Sequence, residues 1–560
     1  MKTMYQSRSN VISVNKNRLA RKIFLWNFVF LLVSFSSLAA TVNGFVTKID
    51  SPTVFDVGAL HVVFDTNTQC DVKTAHTLKA RAYPFGNIPA PYGQWKSSKS
   101  ITTATQSCDA LHLVVGLRIR LTGALQKKGQ FMATQAVVYR IVPSKNIDGA
   151  ALIENTPEIL QGNHGWSGTL WMNGYPMTVI PKTKMLSAPS STTFRYGLHL
   201  HWNGNLRIHA NVASAPNPKP FSVDQIKTNT WGTYHATRAS DGAITTSQFR
   251  LWPNHVGAKE KAYLEETATV IHTPDYSRHI PGKVQLKDGE AAEIFPDQKV
   301  QDFVQNLGME VVPQYQKHLR SADATKINFR FYVVPSWTVN PGNGLLNINI
   351  DGGLSKCNII FSCTSNILRF IAPIKYIIAM PDGVILVPDS TLAVLQNKSQ
   401  LAAILSYAVT SSVQKQAYIA WPLIMRLTAT WNFRADPVGA GEPLPQSLGV
   451  WLNEQLLRIG IRQMYLAGYD IREAPFAWAV ARSKPVNNPV INSKHPDKEI
   501  PWYAAYAFNY ISHYYKDVDY SKLKRGEKEY QQFLQELYKA DPSLPHPKVA
   551  AAVTSAAATK

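Results

Sequence analysis

The sequence predicts a multidomain protein in which two small all-β barrel or sandwich domains precede an α+β, mostly helical domain. Its 560 residues, at roughly 100 to 200 per domain, allow about three domains. Short apolar alternations broken by turns fill residues 44–140 and return over residues 164–253, as is typical of β-strands. From Val300 onward, apolar residues recur at helical spacing. This change of period separates the β-domains from the helical one.

The first 40 residues have the layout of a secretory signal. A basic stretch is followed by an apolar run from Ile23 to Val33 and by small residues that end in Ala39 and Ala40. We therefore predict a signal peptide over residues 1–40 and export to the periplasm or the exterior. An uncleaved membrane anchor is the alternative, because the stretch from Ile23 to Ala40 approaches the length that spans a bilayer.

The chain is strongly basic, with 58 Lys and Arg against 37 Asp and Glu and a net charge of +21. Removal of the leader, which holds six basic residues and no acidic one, leaves 52 against 37, or +15. Such a charge suits polyanions, an anionic membrane surface or solubility alone. In an exported protein, nucleic acid is not an expected partner. A membrane is expected to be contacted only through the leader or the basic surface.

The β-pattern divides into a first domain over residues 41–145 and a second over residues 160–255, both similar to small OB-like barrels. The second is a weak repeat of the first: Gly44 and Gly165 each open a hairpin, and Gly129 and Gly242 each lie in a turn before a strand. A connector follows at 256–296, then the helical domain at 297–540, which contains an irregular insertion at 338–373. Residues 541–560 are predicted to be a disordered tail.

The four cysteines fall into two pairs that are close in sequence and lack CxxC spacing. In an exported protein this pattern predicts disulfides rather than metal ligation, one between Cys70 and Cys108 and one between Cys357 and Cys363. Four buried free thiols are the alternative.

Several segments of the helical part resemble the zinc metallopeptidases of family 48, which include HtpX and the CAAX prenyl proteases. The matching segments, which follow the family's order over about residues 297–540, are AMPDG from Ala379, QLA from Gln400, YAVTS from Tyr407, Ile459–Gly460, AGYD from Ala467 and SKHP from Ser493. The resemblance implies a zincin-like domain.

The positions of the family's metal ligands hold other residue types. The two histidines and the glutamate of HExxH, together with the third ligand, correspond to Tyr407, Ala408, Ser411 and Asn453. Zinc needs two imidazoles one helical turn apart and a carboxylate base beside the bound water, and these side chains supply neither. A register shift would bring in Glu454 but no imidazole. We therefore predict an exported pseudo-metallopeptidase with no catalytic residues, no metal and no cofactor.

In the family, the strand beside the metal helix pairs with the substrate backbone, which needs no metal. The resemblance thus implies a peptide-binding segment and, as partners, extended peptides or cell-envelope proteins. Its residues are Ala379, Met380, Pro381, Gly383, Ile385 and Val387.

Two other functions stay open. One is an active zinc endopeptidase with ligands such as His495 and His513. Zinc is an expected cofactor only under this alternative. The other is a polyanion-binding β-domain protein. A minor metal candidate is the H-x-H pair His199 and His201 near His209. The simpler interpretation of this pair is two exposed histidines on a β-strand.

Overall fold

The computed structural model describes residues 40–57, 60–75, 101–111, 113, 117–126, 130–141, 146–162, 165–188, 196–200, 206–210, 218–239, 241–265, 268–286, 291–335, 377–416, 444–483 and 499–544. Residues 1–39 of the predicted signal peptide lie outside the described residues, and its last residue, Ala40, begins the first strand. Among the described helices, none combines the length and the apolar character needed to cross a bilayer.

The first sheet closes into a ring. It contains β1 (Ala40–Ser51), β2 (Val54–Val57), β3 (Leu60–Ala75), β4 (Ile101–Gln106), β5 (Arg118–Leu125) and β6 (Gln130–Ile141). The strand order is β2-β1-β5-β6-β3-β4, and β2 also pairs with β3, which joins the two ends of the five-strand path. Alternate residues of these strands fill the interior, among them Val46, Phe55, Val62, Ile119, Leu121 and Phe131.

The predicted disulfide between Cys70 and Cys108 is confirmed. It ties β3 to the segment that follows β4, and the buried Cys70 forms part of the ring's core. A disulfide agrees with the oxidising compartment that export would provide. Cys357 and Cys363 lie outside the described residues, so their pairing stays a prediction.

The second sheet has eight strands in the order β14-β11-β16-β10-β9-β8, with β15 paired to β16 and β7 paired to β15. Its strands are β7 (Asn146–Leu152), β8 (Glu158–Gly162), β9 (Gly165–Met172), β10 (Tyr175–Val179), β11 (Lys184–Ser187), β14 (Lys219–Pro220), β15 (Trp231–Arg238) and β16 (Ile244–Trp252). A separate hairpin is formed by β12 (Tyr196–Leu200) and β13 (Leu206–Ala210). The strand β8 lies at one edge of the large sheet.

Two three-stranded sheets share a small core built around Val284, Val334 and Val384. One contains β17 (Ala268–His272), β18 (Gly282–Leu286) and β19 (Ala291–Ile294), and the other contains β20 (Arg330–Val334), β21 (Ile378–Ala379) and β22 (Val384–Pro388). In the second of them, β22 lies between β20, to which it is parallel, and β21.

The described helices are α1 (Ala258–Glu265), α2 (Gln298–Val311), α3 (Gln314–His318), α4 (Asp389–Val394), α5 (Lys398–Val413), α6 (Leu444–Leu466), α7 (Glu473–Ser483), α8 (Glu499–Tyr514) and α9 (Glu527–Ala540). Side-chain caps start two of them. Asp297 accepts a hydrogen bond from the Val300 amide at α2, and Asn397 accepts one from the Gln400 amide at α5.

The predicted fold class is wrong, because the described chain contains no separate, mostly helical metallopeptidase domain. Strands hold 40% of the described residues and helices 32%. The eight-stranded sheet and the helices also share one hydrophobic core, so the second sheet is not a self-contained barrel. This core includes Met172, Tyr234 and Trp252 from strands and Leu401, Leu456 and Tyr510 from helices.

Polar side chains explain why the helices do not form a domain of their own. Gln414 accepts a hydrogen bond from the Leu152 amide at 3.1 Å, and Gln455 donates one to the Ala150 carbonyl at 2.8 Å. Both partners are backbone groups of β7. In a separate helical domain these amide side chains would need other partners or water. The domain boundaries themselves stay predictions.

Candidate functional site

The positions that match the HExxH motif lie in the interior of the protein. Tyr407, Ala408 and Ser411 on α5 are 2%, 1% and 5% exposed, and every residue of the helix from Ser399 to Val413 is buried. The remaining position, Asn453, lies on α6, but its side chain is outside the described residues. A hydrolytic zinc ion needs an open coordination position for water or substrate. This helix is built as a core element.

Close packing fixes α5 against α6 and α7. The Tyr407 ring contacts the Trp478 ring edge to face, with centroids 5.4 Å apart. Gly460 lies against the backbone of the same residue, since a Cβ at position 460 would be 3.1 Å from the Tyr407 nitrogen. Two hydroxyl groups on α5 donate to backbone carbonyls: Thr410 to Ser406 of the same helix, and Ser412 to Met380 at the turn before β22. The polar residues of this helix thus serve packing.

The described residues contain one group of three potential metal ligands, and it is far along the chain from α5. Asp50, Asp56 and His61 lie in the first sheet, each at least partly exposed, with ligand atoms within 4.8 Å of one another. His61 Nδ1 lies 2.8 Å from Asp56 Oδ1, so a cross-strand hydrogen bond accounts for two of the three groups. The cluster gives no reason to assign a metal.

The histidine candidates fall on different elements. In the hairpin of β12 and β13, His199 pairs with Arg207 and Gly197 pairs with His209, whereas position 201 is outside the described part of the chain. His513 lies on α8, half-buried, and burial lowers the pKa of its imidazole. His495 is not among the described residues. Zinc binding by these residues is therefore untested.

The predicted peptide-binding residues lie on or near β22, which is paired with another strand on each side. Ile385 of β22 pairs with Phe331 of β20 on one side and with Ala379 of β21 on the other. All six residues are buried, namely Ala379, Met380, Pro381, Gly383, Ile385 and Val387. A peptide could not reach them without displacing described structure, and peptide binding at this strand stays a prediction.

A buried polar cluster that the sequence did not predict lies where α6 and α8 meet the turn between β9 and β10. We call it the Arg458 cluster; its members are Arg458, Glu454, Arg238, Asn173, Tyr175 and Tyr506. The guanidinium of Arg458 donates to the carbonyl and the side-chain oxygen of Asn173, both at 2.9 Å, and to the hydroxyl of Tyr506 at 2.5 Å. It also lies 4.6 Å from the ring centroid of Tyr175.

The backbone of the turn is shaped to receive this arginine. Asn173 and Gly174 both have positive φ, at 58° and 74°, as the tight two-residue turn between β9 and β10 requires. A Cβ on Gly174 would lie 2.4 Å from the Cβ of Arg458, so only glycine permits the approach. Tyr510 of α8 donates a hydrogen bond to the Gly174 carbonyl. The turn is therefore anchored to two helices.

Glu454 is the least satisfied member of the cluster. One of its oxygens lies 3.6 Å from Arg458 Nη1, and the other, Oε1, has no hydrogen-bond partner. Burial raises the pKa of this carboxyl to about 8, against the opposing attraction of Arg458 and Arg238. A strongly perturbed carboxyl of this kind is the feature by which functional sites are often recognised.

A second buried pair continues the cluster along α6. Arg462 Nε lies 3.0 Å from the carboxylate of Glu154, and its guanidinium stacks 3.8 Å from the ring centroid of Trp171. Burial raises the pKa of Glu154 as well. Charged residues at 454, 458 and 462 repeat every four positions, as do tyrosines at 506, 510 and 514 on α8. That four-residue spacing is the signal in the sequence that could have revealed the cluster.

Comparison with known proteins adds no relative: no protein-family model matches the chain, and no curated protein matches it. The likeness to the metallopeptidases consequently rests on the order of the short sequence segments.

Proposed function

We propose that the chain is an exported, non-catalytic protein of the cell envelope that binds extended peptides or acts as a scaffold. The burial of Tyr407, Ala408 and Ser411 carries this proposal. Descent from a family 48 metallopeptidase is part of it and is supported by the ordered sequence segments. Loss of the ligand side chains removes the metal, and the tight contact of Gly460 with Tyr407 gives α5 a structural role that does not need one.

The proposal predicts that the purified protein binds no stoichiometric zinc and does not cleave unfolded casein. The ligand positions carry a phenol, a methyl group, a hydroxyl and an amide, which are poor zinc ligands at neutral pH. Elemental analysis and a casein assay with and without a chelator measure both properties. An HExxH peptidase assayed in parallel is the positive control. About one zinc per chain together with chelator-sensitive cleavage would contradict the proposal.

An exposed edge strand offers a surface for partners. All five residues of β8 are exposed, including Ile159 at 42% and Leu160 at 66%, which project to opposite faces. The strand pairs with β9 without a register shift, and no described strand pairs with its other edge. It contains no lysine or proline, which often protect such edges from pairing. These properties suit the addition of an extended peptide strand.

We expect Leu160→Lys to weaken the binding of extended peptides by roughly tenfold or more, because it replaces an apolar contact with a charge at the edge. A displayed library of heptapeptides with alternating β-branched and polar residues would select the probes, and calorimetry would measure their affinity. Leu125→Lys, at a residue that is 62% exposed on the first sheet, is the matched control. If no peptide binds, or if both variants bind equally well, this use of β8 is refuted.

A further inference from the structure

The Arg458 cluster contains a carboxyl that has no hydrogen-bond donor of its own. Glu454 is 2% exposed, so water does not replace the missing partner at its Oε1 atom. The nearest cation, Arg458, directs its donors to Asn173 and Tyr506 instead. An ionised carboxylate in this position would be buried and without hydrogen bonds, which is costly. The neutral acid is the form that this packing favours.

The groups around Glu454 come from four packed elements. Arg458 lies on its own helix, Arg238 approaches from β15, and Tyr506 of α8 interacts with it electrostatically. The ring centroid of Tyr175, on β10, lies 4.6 Å from the guanidinium carbon of Arg458 and 5.7 Å from that of Arg238. The facing helix α5 has no charged residue between Ser399 and Val413, and Tyr407 is its only titratable side chain there. Ionisation would therefore act first on the arginines.

We propose that Glu454 is a proton switch for the junction between the β9–β10 turn and the helices α6 and α8. With the proton in place, Arg458 is free to hold Asn173 and Tyr506. When Glu454 releases its proton to solvent, the new carboxylate 3.6 Å away competes for the same guanidinium. The turn then loses donors, and the contact between sheet and helices loosens. This inference does not depend on the proposed peptide binding.

The direction of the pH response follows from the two pKa values. The pKa of Glu454 is about 8 in the folded protein, above its ordinary value of 4.5. Between these values the folded state holds a proton that the unfolded state has lost, so stability is highest at low pH and falls as pH rises toward 8. One proton corresponds to a tenfold change in the unfolding equilibrium constant per pH unit.

Denaturant unfolding of the full chain and of Glu454→Gln from pH 5 to pH 9 tests this switch. Relative to the variant, the unfolding constant of the wild type should rise by up to about tenfold per pH unit until about pH 8 and then level off. Glu154, whose pKa burial also raises, is present in both proteins and cancels. Glu260→Gln, which alters another buried glutamate, paired to Lys415 at 2.8 Å, should keep the wild-type slope. Parallel slopes for the wild type and Glu454→Gln would overturn the proposal.

A second measurement needs no variant. Hydrogen exchange of the wild type, corrected for the intrinsic effect of pH, should show protection falling between pH 7 and pH 9 in peptides that cover residues 172–175 and 454–462. Peptides from the first ring should keep their protection and serve as the internal control. Unchanged protection at the turn and α6 would likewise overturn the switch.

Discussion

Arg458→Met should destabilise the protein by about 2 to 6 kcal/mol, because the variant leaves two buried hydrogen-bond acceptors without donors and each costs about 1 to 3 kcal/mol. Methionine fills much of the same space but donates no hydrogen bonds. The two oxygen atoms of Asn173 would lose their donors, and Tyr175 would lose the nearer of its two cations. Denaturant unfolding at pH 7, followed by tryptophan fluorescence, measures the change.

The matched control for this prediction is Lys299→Met. Lys299 forms an ion pair with Glu536 at 3.2 Å, but its side chain is 73% exposed. Exposed pairs contribute about 0 to 1 kcal/mol, so this variant should unfold close to the wild type. Equal effects of the two substitutions would mean that the Arg458 cluster does not anchor the turn between β9 and β10.

Replacement of Cys70 and Cys108 by serine should destabilise the first ring by about 4 kcal/mol. The crosslink spans 38 residues, and its loss restores the corresponding loop entropy to the unfolded chain. Thermal unfolding, together with limited proteolysis of residues 40–141, measures the effect. The ring has its own core, so the residues of the eight-stranded sheet should keep their protection from proteolysis.

Reduction of the wild type gives an independent test of the same bond. A reductant should reproduce the behaviour of the double serine variant, and it should have no further effect on that variant. A ring that unfolds at the same temperature with and without the disulfide would show that the crosslink contributes no stability.

Local patterns predicted much of this structure. Apolar alternation revealed the strands of the first ring, helical spacing from Val300 matched α2, and export chemistry with close spacing predicted the bond from Cys70 to Cys108. Asp382–Gly383, a residue pair typical of tight turns, lies between β21 and β22. These features depend on residues that share one element or, for the disulfide, lie 38 positions apart.

The sharing of one core between the second sheet and the helices could not be predicted in this way. Arg458 bonds to Asn173 across 285 residues, and Gln414 bonds to the Leu152 amide across 262. Periodicity shows that a helix has a buried face but not what covers it. On α6 the sequence drew attention to Asn453 and Glu454, whereas Gln455 and Arg458 are the residues whose side chains donate hydrogen bonds to the second sheet and its turn.

The shared core also determines the order in which parts of the chain can fold during synthesis. Ribosomes add about 5 to 20 residues per second, so roughly 15 to 60 seconds separate the appearance of Asn173 from that of its partner Arg458, 285 residues later. The first ring, which holds both cysteines of its disulfide and its own core, can complete itself during that interval. The apolar face of the eight-stranded sheet stays uncovered until the helices that pack on it have been synthesised. We expect a chaperone to bind this nascent segment.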